Sequence, residues 1–273
     1  MQRVPTARYP EIGSLFAHMS HQPIVKSILA GNTKGEVYSD CTLTPKSSMI
    51  NGMGFEILVA GDAGNTRFNQ EAANYVADKV VPIAKKAGAP HVTIYPETDV
   101  WAHMFQKKLG EMGKQADKKS KRFYTLERQQ FKKDNKELPN HATLTAINAS
   151  VLKDETLLNR EYLRQWIDSS WTSVESFLKK GIGYCVIEGD VIVHWCLAVF
   201  AADRKLEFAL MTVAGYEGKG YAKAGASACM EKALSMGKQP LWNCNKDNAA
   251  SIAVAKSLGF KQQLDYEVLE IRL

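Results

Sequence analysis

The chain has 273 residues, of which 45% are hydrophobic and 23% charged, and its formal net charge is +6. These are ordinary globular values, and the length allows one large domain or two of about 130 residues each. The longest apolar run, residues 191–202, is shorter than the roughly 20 residues that a membrane-spanning helix needs. No secretory signal is visible at the N-terminus.

The five cysteines are widely spaced and form no Cys-x-x-Cys pair. This pattern indicates neither a zinc site nor a disulfide framework, and it favours a reducing compartment. We therefore expect a cytoplasmic protein that needs no metal.

The first half of the sequence predicts alternating helices and strands. The predicted helices cover residues 11–19, 23–30, 69–87 and 100–112. The predicted strands cover residues 35–41, 53–60 and 91–95.

A basic segment follows, and it is the predicted domain boundary. It divides the chain into a first domain (1–112), a basic linker (113–139) and a second domain (140–273). A solvated linker is one interpretation, and the others are an RNA-binding patch or a contribution to a site for the 3′-phosphate of coenzyme A. The two aromatic residues of the segment, Phe123 and Tyr124, are adjacent rather than interleaved with the charges, which weakens the case for nucleic acid.

The second half has a clearer pattern. Strands are predicted at 141–150, 184–188, 191–201, 206–213, 241–244 and 266–273. Helices are predicted at 153–165, 173–180, 219–236 and 248–258.

A glycine-bearing turn separates the strand that ends at Val213 from the helix that follows. It reads Glu-Gly-Lys-Gly-Tyr-Ala over residues 217–222. Without a Cβ, Gly218 and Gly220 let the backbone come close to a ligand. Exposed N–H groups at a helix N-terminus form an anion site suited to a pyrophosphate, although such a short glycine motif is also common in ordinary turns.

Two further motifs lie downstream, Trp-Asn-Cys-Asn-Lys-Asp-Asn-Ala-Ala-Ser (242–251) and Lys-Ser-Leu-Gly-Phe (256–260). Together with the glycine turn they resemble the GCN5-related N-acetyltransferases (GNAT). The resemblance extends upstream through residues 171–185 and 60–62. It therefore covers nearly the whole chain, and it is to the two-domain group that includes the zwittermicin A and paenilamicin self-resistance enzymes.

The resemblance implies an α/β (α+β) fold of tandem GNAT-like domains, each with a mixed, mostly antiparallel sheet flanked by helices. The first domain lacks the glycine turn and is expected to be degenerate. Acetyl-CoA is the implied co-substrate. The implied contacts are Met211, Thr212, Val213, Gly218, Lys219, Gly220, Tyr221, Ala222, Asn248 and Ser251. Asn248 is equally suited to capping its helix, and Glu217 replaces the Gln or Arg that is usual in the family.

The catalytic candidates are Glu207, His194 and Ser251. Several GNAT enzymes place a catalytic glutamate at the position of Glu207, which could otherwise be an exposed strand-end residue. His194 is the rival base, although a lone histidine in an apolar strand is more often part of the core. The family's usual proton-donating tyrosine is replaced by Ala255, so Ser251, Tyr266 or water is left to protonate the thiolate. Trp195 and Trp242 are expected to be core aromatics.

The sequence therefore predicts an N-acetyltransferase that acts on a primary amine of a small cationic molecule, expected to be an amine-rich antibiotic. We expect a monomer or a dimer with no membrane partner and no nucleic-acid partner. One alternative is a non-catalytic acyl-CoA-binding module. Another is an RNA or protein acetyltransferase that docks through the basic segment.

Overall fold

In the computed structural model, which describes residues 1–273, the chain divides into two units. Unit 1 comprises Met1–Lys121 and Tyr266–Leu273, and unit 2 comprises Arg122–Asp265. These boundaries differ from the predicted ones at 112 and 140. The predicted linker contains a β-strand, Asp117–Thr125, and the C-terminal residues return to unit 1.

Unit 1 begins with short helices and continues as strands alternating with longer ones. Its elements up to residue 111 are β1 (Gln2–Arg3), α1 (Tyr9–Ile12), α2 (Pro23–Leu29), β2 (Gly35–Ser39), β3 (Ser47–Gly52), β4 (Glu56–Gly61), α3 (Thr66–Tyr75), α4 (Val81–Lys86), β5 (His91–Pro96) and α5 (Asp99–Glu111). Short 3₁₀ segments, Thr6–Arg8 and Gly13–Met19, flank α1, and a π-helical turn, Val76–Val80, joins α3 to α4.

The strands of unit 1 follow the order β1-β2-β3-β4-β5. Strand β4 is parallel to β5 and antiparallel to β3. Residues 57–60 of β4 are all fully buried, as expected for a central strand that is covered on both faces. Strand β3 was not predicted because it begins with two serines. Both are buried, and their hydroxyls donate to the carbonyls of Asp62 and Tyr38, at 2.8 Å in each case.

Unit 2 is entered through β6 (Asp117–Thr125) and left through the last strand. The remaining elements are β7 (Ala142–Ala146), α6 (Ala149–Lys153), α7 (Arg160–Ser170), α8 (Val174–Lys180), β8 (Gly183–Glu188), β9 (Val191–Ala202), β10 (Lys205–Thr212), α9 (Tyr221–Ser235), β11 (Gln239–Asn245), α10 (Ala249–Ser257) and β12 (Lys261–Arg272). A 3₁₀ turn, Arg128–Gln130, follows β6.

The single helix predicted at 153–165 is wrong, because α6 ends at Lys153 and α7 begins at Arg160. Asp154 stops the first helix. Its carboxylate accepts from the Thr156 N–H at 3.0 Å and from the Thr156 hydroxyl at 2.6 Å. Asn159, with a φ of 62°, then turns the chain into α7. Asp and Asn favour such local bonds and turns over continued helix.

The strands of unit 2 follow the order β6-β11-β10-β9-β8-β7. Strands β7 to β10 pair in antiparallel fashion, and β10 and β11 are parallel with α9 between them in the chain. Unit 1 receives its last strand from the C-terminus, where Leu269–Arg272 pair antiparallel with β5. Each unit thus contains a mixed, mostly antiparallel sheet with helices, which confirms the predicted fold class. No helix in the chain has the length and apolar character needed to cross a bilayer.

Candidate active site

Strands β10 and β11 pair over only three residues, Lys205–Glu207 with Gln239–Leu241. Beyond Glu207 the two strands are no longer paired, although β10 continues beside β9 to Thr212. The register with β9 shifts between Glu207 and Phe208, which is the signature of a β-bulge. The side chains of β10 change from buried to partly exposed at Ala209. A wedge-shaped opening therefore begins at Glu207, and we call it the β10–β11 opening.

Hydrogen-bonding groups of β10 face this opening. The Val213 N–H donates to the Val193 carbonyl at 2.9 Å, toward β9. In an antiparallel ladder such bonds alternate, so the backbone N–H and C=O of Thr212 point to the other edge, where β11 has separated. Val213, one of the implied acetyl-CoA contacts, thus has its N–H engaged with β9, and the free strand edge at this point belongs to Thr212.

Glu207 lies at the apex of the opening, where β10 is paired on both sides for the last time. Its exposed fraction is 8%. The sequence allowed an exposed strand-end glutamate at this position, and the structure instead gives a largely buried carboxylate beside a bulge. A largely buried carboxylate at the start of an opening is a candidate for proton transfer.

The glycine turn lies at the wide end of the opening. Gly218 and Gly220 have φ of +75° and +90°, and a Cβ on either residue would meet no atom within 4 Å. Gly220 is the N-cap of α9 and provides no side-chain cap. The N–H groups of the first turn of α9 have no intrahelical partner. The turn and the helix start therefore form an open cradle for an anion.

The charged side chains around this cradle are paired within unit 2. Lys219 binds Glu188 at 3.1 Å and lies 4.6 Å from the Tyr216 ring centre. The hydroxyl of Tyr221 donates to Glu188. This hydrogen bond is the main cause of the lowered pKa of Glu188, and the interaction with Lys219 is a smaller one. Glu217 is exposed and accepts from the Gly215 N–H at 2.7 Å. The loop N–H thus holds the Glu217 carboxylate in a solvent-exposed position.

His194 is a fully buried residue of β9, paired with Thr212 of β10. Its Nδ1 lies 2.9 Å from the Thr212 hydroxyl oxygen, and its Nε2 has no hydrogen-bond partner. Gly225 of α9 packs against the ring. Burial lowers the pKa of His194 to about 4, so the ring is neutral. This environment indicates that His194 is a core residue that positions Thr212, rather than the rival base that the sequence allowed.

Helix α10 places two predicted contacts next to β11. The Asn248 side chain caps the helix by accepting from the Ser251 N–H at 3.0 Å. The Ser251 hydroxyl oxygen accepts from the Trp242 Nε1–H at 2.9 Å, which leaves the hydroxyl hydrogen of Ser251 available to another acceptor. Ala255 is fully buried in the core of unit 2. Tyr266, the other candidate acid, belongs to unit 1 and is in ring contact with His21.

Sequence reasoning overlooked Tyr162 and Trp166. The two residues are four apart on α7, which puts them on one face of the helix, and both rings contact Trp195 of β9. The four-residue spacing is the available signal, but the helix predicted at 153–165 stops before Trp166.

Unit 1 repeats the strand–helix–strand order of unit 2. Its positions that correspond to the β10–β11 opening and to the glycine turn are closed. Strand β4 stays paired with β5 up to Val59, and the Glu97 N–H continues the ladder to the Val59 carbonyl at 3.0 Å. The Glu97 carboxylate accepts from the Gly61 N–H at 2.8 Å. The Asn65 side chain caps α3. No opening and no uncapped helix start are present at these places of unit 1.

The β-bulge between β9 and β10, the opening beside β10 and the glycine turn before α9 together suit an acyl donor that is extended and anionic at one end. The chain belongs to the GNAT acetyltransferase family, whose model matches residues 13–269. It is therefore an N-acetyltransferase, as predicted, and members of this family use acetyl-CoA.

Relatives of similar length support this assignment. The Bacillus subtilis (strain 168) protein YdfB, an uncharacterized N-acetyltransferase, is 27% identical over 268 residues, covering 98% of this chain and 97% of YdfB. A GCN5-related N-acetyltransferase-like protein from Streptococcus suis 89/1591 has a similar structure, with a TM-score of 0.72 and 20% identity, covering 97% and 99% of the two chains. A tandem GNAT protein from the clavulanic acid biosynthesis pathway matches with a TM-score of 0.58 and 13% identity, covering 99% and 98%. The two structural likenesses concern the fold.

Proposed function

We propose that unit 2 transfers the acetyl group of acetyl-CoA to a primary amine of a small cationic molecule, an amine-rich antibiotic of the host cell. The observation that carries the proposal is the β10–β11 opening, with Glu207 at its apex and an uncapped glycine turn at its wide end. A donor that is long, partly peptide-like and anionic at one end fits such an opening.

The residues of the opening suit acetyl-CoA. The backbone of Thr212 offers a free strand edge to the pantetheine arm, with Met211 and Val213 as the proposed contacts on either side of it, and the N–H groups from Gly218 to Ala222 suit its pyrophosphate. Lys219 adds positive charge at the turn, although Glu188 neutralises part of it. Asn248 and Ser251 are the proposed contacts from α10. When bound, acetyl-CoA supplies a thioester carbonyl that an amine can attack.

Glu207 is the proposed general base. An alkylammonium group has a reference pKa near 10.4 and is therefore mostly protonated at neutral pH. The Glu207 carboxylate accepts the ammonium proton, directly or through a water molecule, so that the nitrogen lone pair becomes available. Backbone N–H groups on the open edge of β10 are suited to stabilising negative charge on the carbonyl oxygen.

Protonation of the departing sulfur needs no dedicated tyrosine. A thiol has a reference pKa of about 8.5, so a thiolate is a tolerable leaving group. The hydroxyl hydrogen of Ser251 is available because its oxygen accepts from Trp242. We assign the proton donor to Ser251 or to water.

Unit 1 is proposed to bind no acetyl-CoA. The paired β4–β5 ladder, the Glu97–Gly61 bond and the Asn65 cap occupy the groups that a donor would need. This supports the interpretation of unit 1 as a degenerate repeat.

The basic segment is poorly suited to docking RNA. Several of its cations are engaged within their own units, as Lys118 with Glu267, Arg122 with Asp265 and Lys133 with Glu231. The Arg122 pair is bidentate, at 2.6 and 2.8 Å. An arm that recruits phosphates would present unpaired cations.

The antibiotic proposal rests on charge removal. Acetylation of a primary amine deletes a positive charge and hydrogen-bond donors, which weakens a drug that binds its target through ammonium groups. The net charge of +6 opposes long-range attraction of a polycation, so recognition must come from local groups such as Glu207.

The test is to express the chain in a sensitive bacterium and measure tolerance to zwittermicin-like and paenilamicin-like compounds. Acetylated drug should be found by mass spectrometry, and a Glu207→Gln version should give no protection. Acetylation of a protein or RNA without protection would contradict the antibiotic proposal while leaving acetyl transfer intact.

A further inference from the structure

The tip of the glycine turn, residues 217–219, is exposed and has few bonds to the rest of unit 2. The glycines in and around it, Gly215, Gly218 and Gly220, have φ of +88°, +75° and +90°. Glycine has the most backbone freedom to lose when a ligand orders the chain. No backbone hydrogen bond joins the tip to another strand or helix, and the Glu217 carboxylate bonds within the turn, to the Gly215 N–H. The backbone by itself therefore does little to fix the tip.

The Lys219 side chain connects the tip to the sheet. Its ammonium lies 3.1 and 3.5 Å from the two carboxylate oxygens of Glu188 and 4.6 Å from the centre of the Tyr216 ring. The hydroxyl of Tyr221, the first residue of α9, donates to the same carboxylate. Glu188 thus holds the residues on both sides of Gly220, one on the turn and one on the helix.

The backbone of Glu188 is itself firmly placed. Glu188 is the last residue of β8, where it pairs with Ala142 of β7 on one side and with Val191 of β9 on the other. Its side chain is 15% exposed, and its lowered pKa keeps it ionised at neutral pH. A carboxylate beside an anion site repels the anion, so the charge of Glu188 does not explain its place next to the cradle, whereas its contacts with the turn do.

We infer that Glu188 is a positioning residue for the donor. Through Lys219 it holds the glycine turn in the conformation that receives the pyrophosphate of acetyl-CoA. This inference rests on the proposed function, in which the turn is part of the donor site. A segment that is ordered before binding loses less conformational entropy when the ligand arrives, and affinity rises accordingly. A purely electrostatic role predicts the opposite sign, because removing a negative charge beside an anion site tightens binding.

The test is Glu188→Ala, with acetyl-CoA affinity measured by calorimetry. The affinity should fall by about 5-fold or more, as expected when one further residue has to be ordered on binding, although the variant has lost a negative charge. The matched control is Asp190→Asn, which removes a negative charge from an exposed residue of the same β8–β9 hairpin. Its affinity should equal that of the wild-type protein or exceed it.

A double-mutant cycle shows whether Glu188 acts through Lys219. In a Lys219→Met background the link to the turn is already lost, so Glu188→Ala should leave acetyl-CoA affinity unchanged or raise it. S-acetylpantetheine, which lacks the pyrophosphate, provides a second readout. In NMR titrations it should bind the wild-type and Glu188→Ala proteins equally, whereas general damage to unit 2 would weaken the binding of both donors.

The mobility of the free turn is a readout that needs no donor. The amide order parameters of Gly218 and Gly220 should fall in the Glu188→Ala protein and stay unchanged in the Asp190→Asn protein. Unchanged order parameters, or acetyl-CoA binding by Glu188→Ala that is as tight as in the wild-type protein, would overturn the inference. If the wild-type protein fails to bind acetyl-CoA while the order parameters still fall in Glu188→Ala, the proposed function is contradicted and the role of Glu188 in fixing the turn is retained.

Discussion

Substitution of Gly225 by alanine tests the packing of His194 against α9. A Cβ at this position would lie 2.6 Å from Nε2 and 2.8 Å from Cδ2 of the His194 ring. The ring is fully buried and is held at the Thr212 hydroxyl, so it cannot move aside freely. Overpacking of this kind costs about 1–3 kcal/mol. Replacing a mid-helix glycine by alanine gains about 1 kcal/mol of helix propensity.

The expected net effect of Gly225→Ala is a loss of about 0–2 kcal/mol in the free energy of unfolding, measured by urea denaturation. Gly110 provides the matched control, because it lies within α5 and its added Cβ would meet no atom within 4 Å. Gly110→Ala should therefore stabilise the protein by about 1 kcal/mol. The two identical changes thus differ in sign for a reason that only the structure supplies.

A double-mutant cycle separates the clash from other causes. In a His194→Ala background the atoms that Gly225→Ala would meet are gone, so the substitution should become neutral or stabilising. If Gly225→Ala stabilises the wild-type protein as much as Gly110→Ala does, the close packing of His194 on α9 is refuted, and with it the explanation for the position of Thr212.

Three further predictions concern the site. Glu207→Gln should lower turnover by roughly 10²-fold or more, as for loss of a general base, with unchanged acetyl-CoA binding by calorimetry; full activity would transfer the role elsewhere. Gly220→Val should weaken acetyl-CoA binding in a folded protein, whereas Gly88→Ala, with a similar φ of +75°, should not. Because the pKa of His194 falls to about 4 on folding, stability should decrease as the pH falls below 6.5. The loss in the free energy of unfolding should reach about 2 kcal/mol by pH 5. Urea denaturation of the wild-type protein at pH 7 and at pH 5 measures this loss, and the His194→Gln protein should not show it.

Much of unit 2 could be predicted from local patterns. The glycine turn and the small-residue helix after it follow from backbone freedom at Gly218 and Gly220 and from helix propensity, which act between residues that are neighbours in the chain. The break between α6 and α7 at Asp154 also has a local cause. It could not be predicted, because it depends on which of several possible hydrogen bonds the Asp154 side chain forms. Strand β3 was missed because Ser47 and Ser48 become suitable for burial only when distant carbonyls accept their hydroxyl hydrogens.

The sequence by itself determined the family, the fold class and the position of the donor turn, because these depend on motifs and periodicities that are contiguous in the chain. Only the tertiary structure decided which groups of that site are available. The separation of β10 from β11 after Glu207, the assignment of the free strand edge to Thr212, and the ion pair between Lys219 and Glu188 all depend on pairing between segments that are distant in the chain. Such long-range pairing leaves no periodic signal in either partner, so neither strand alone could reveal it.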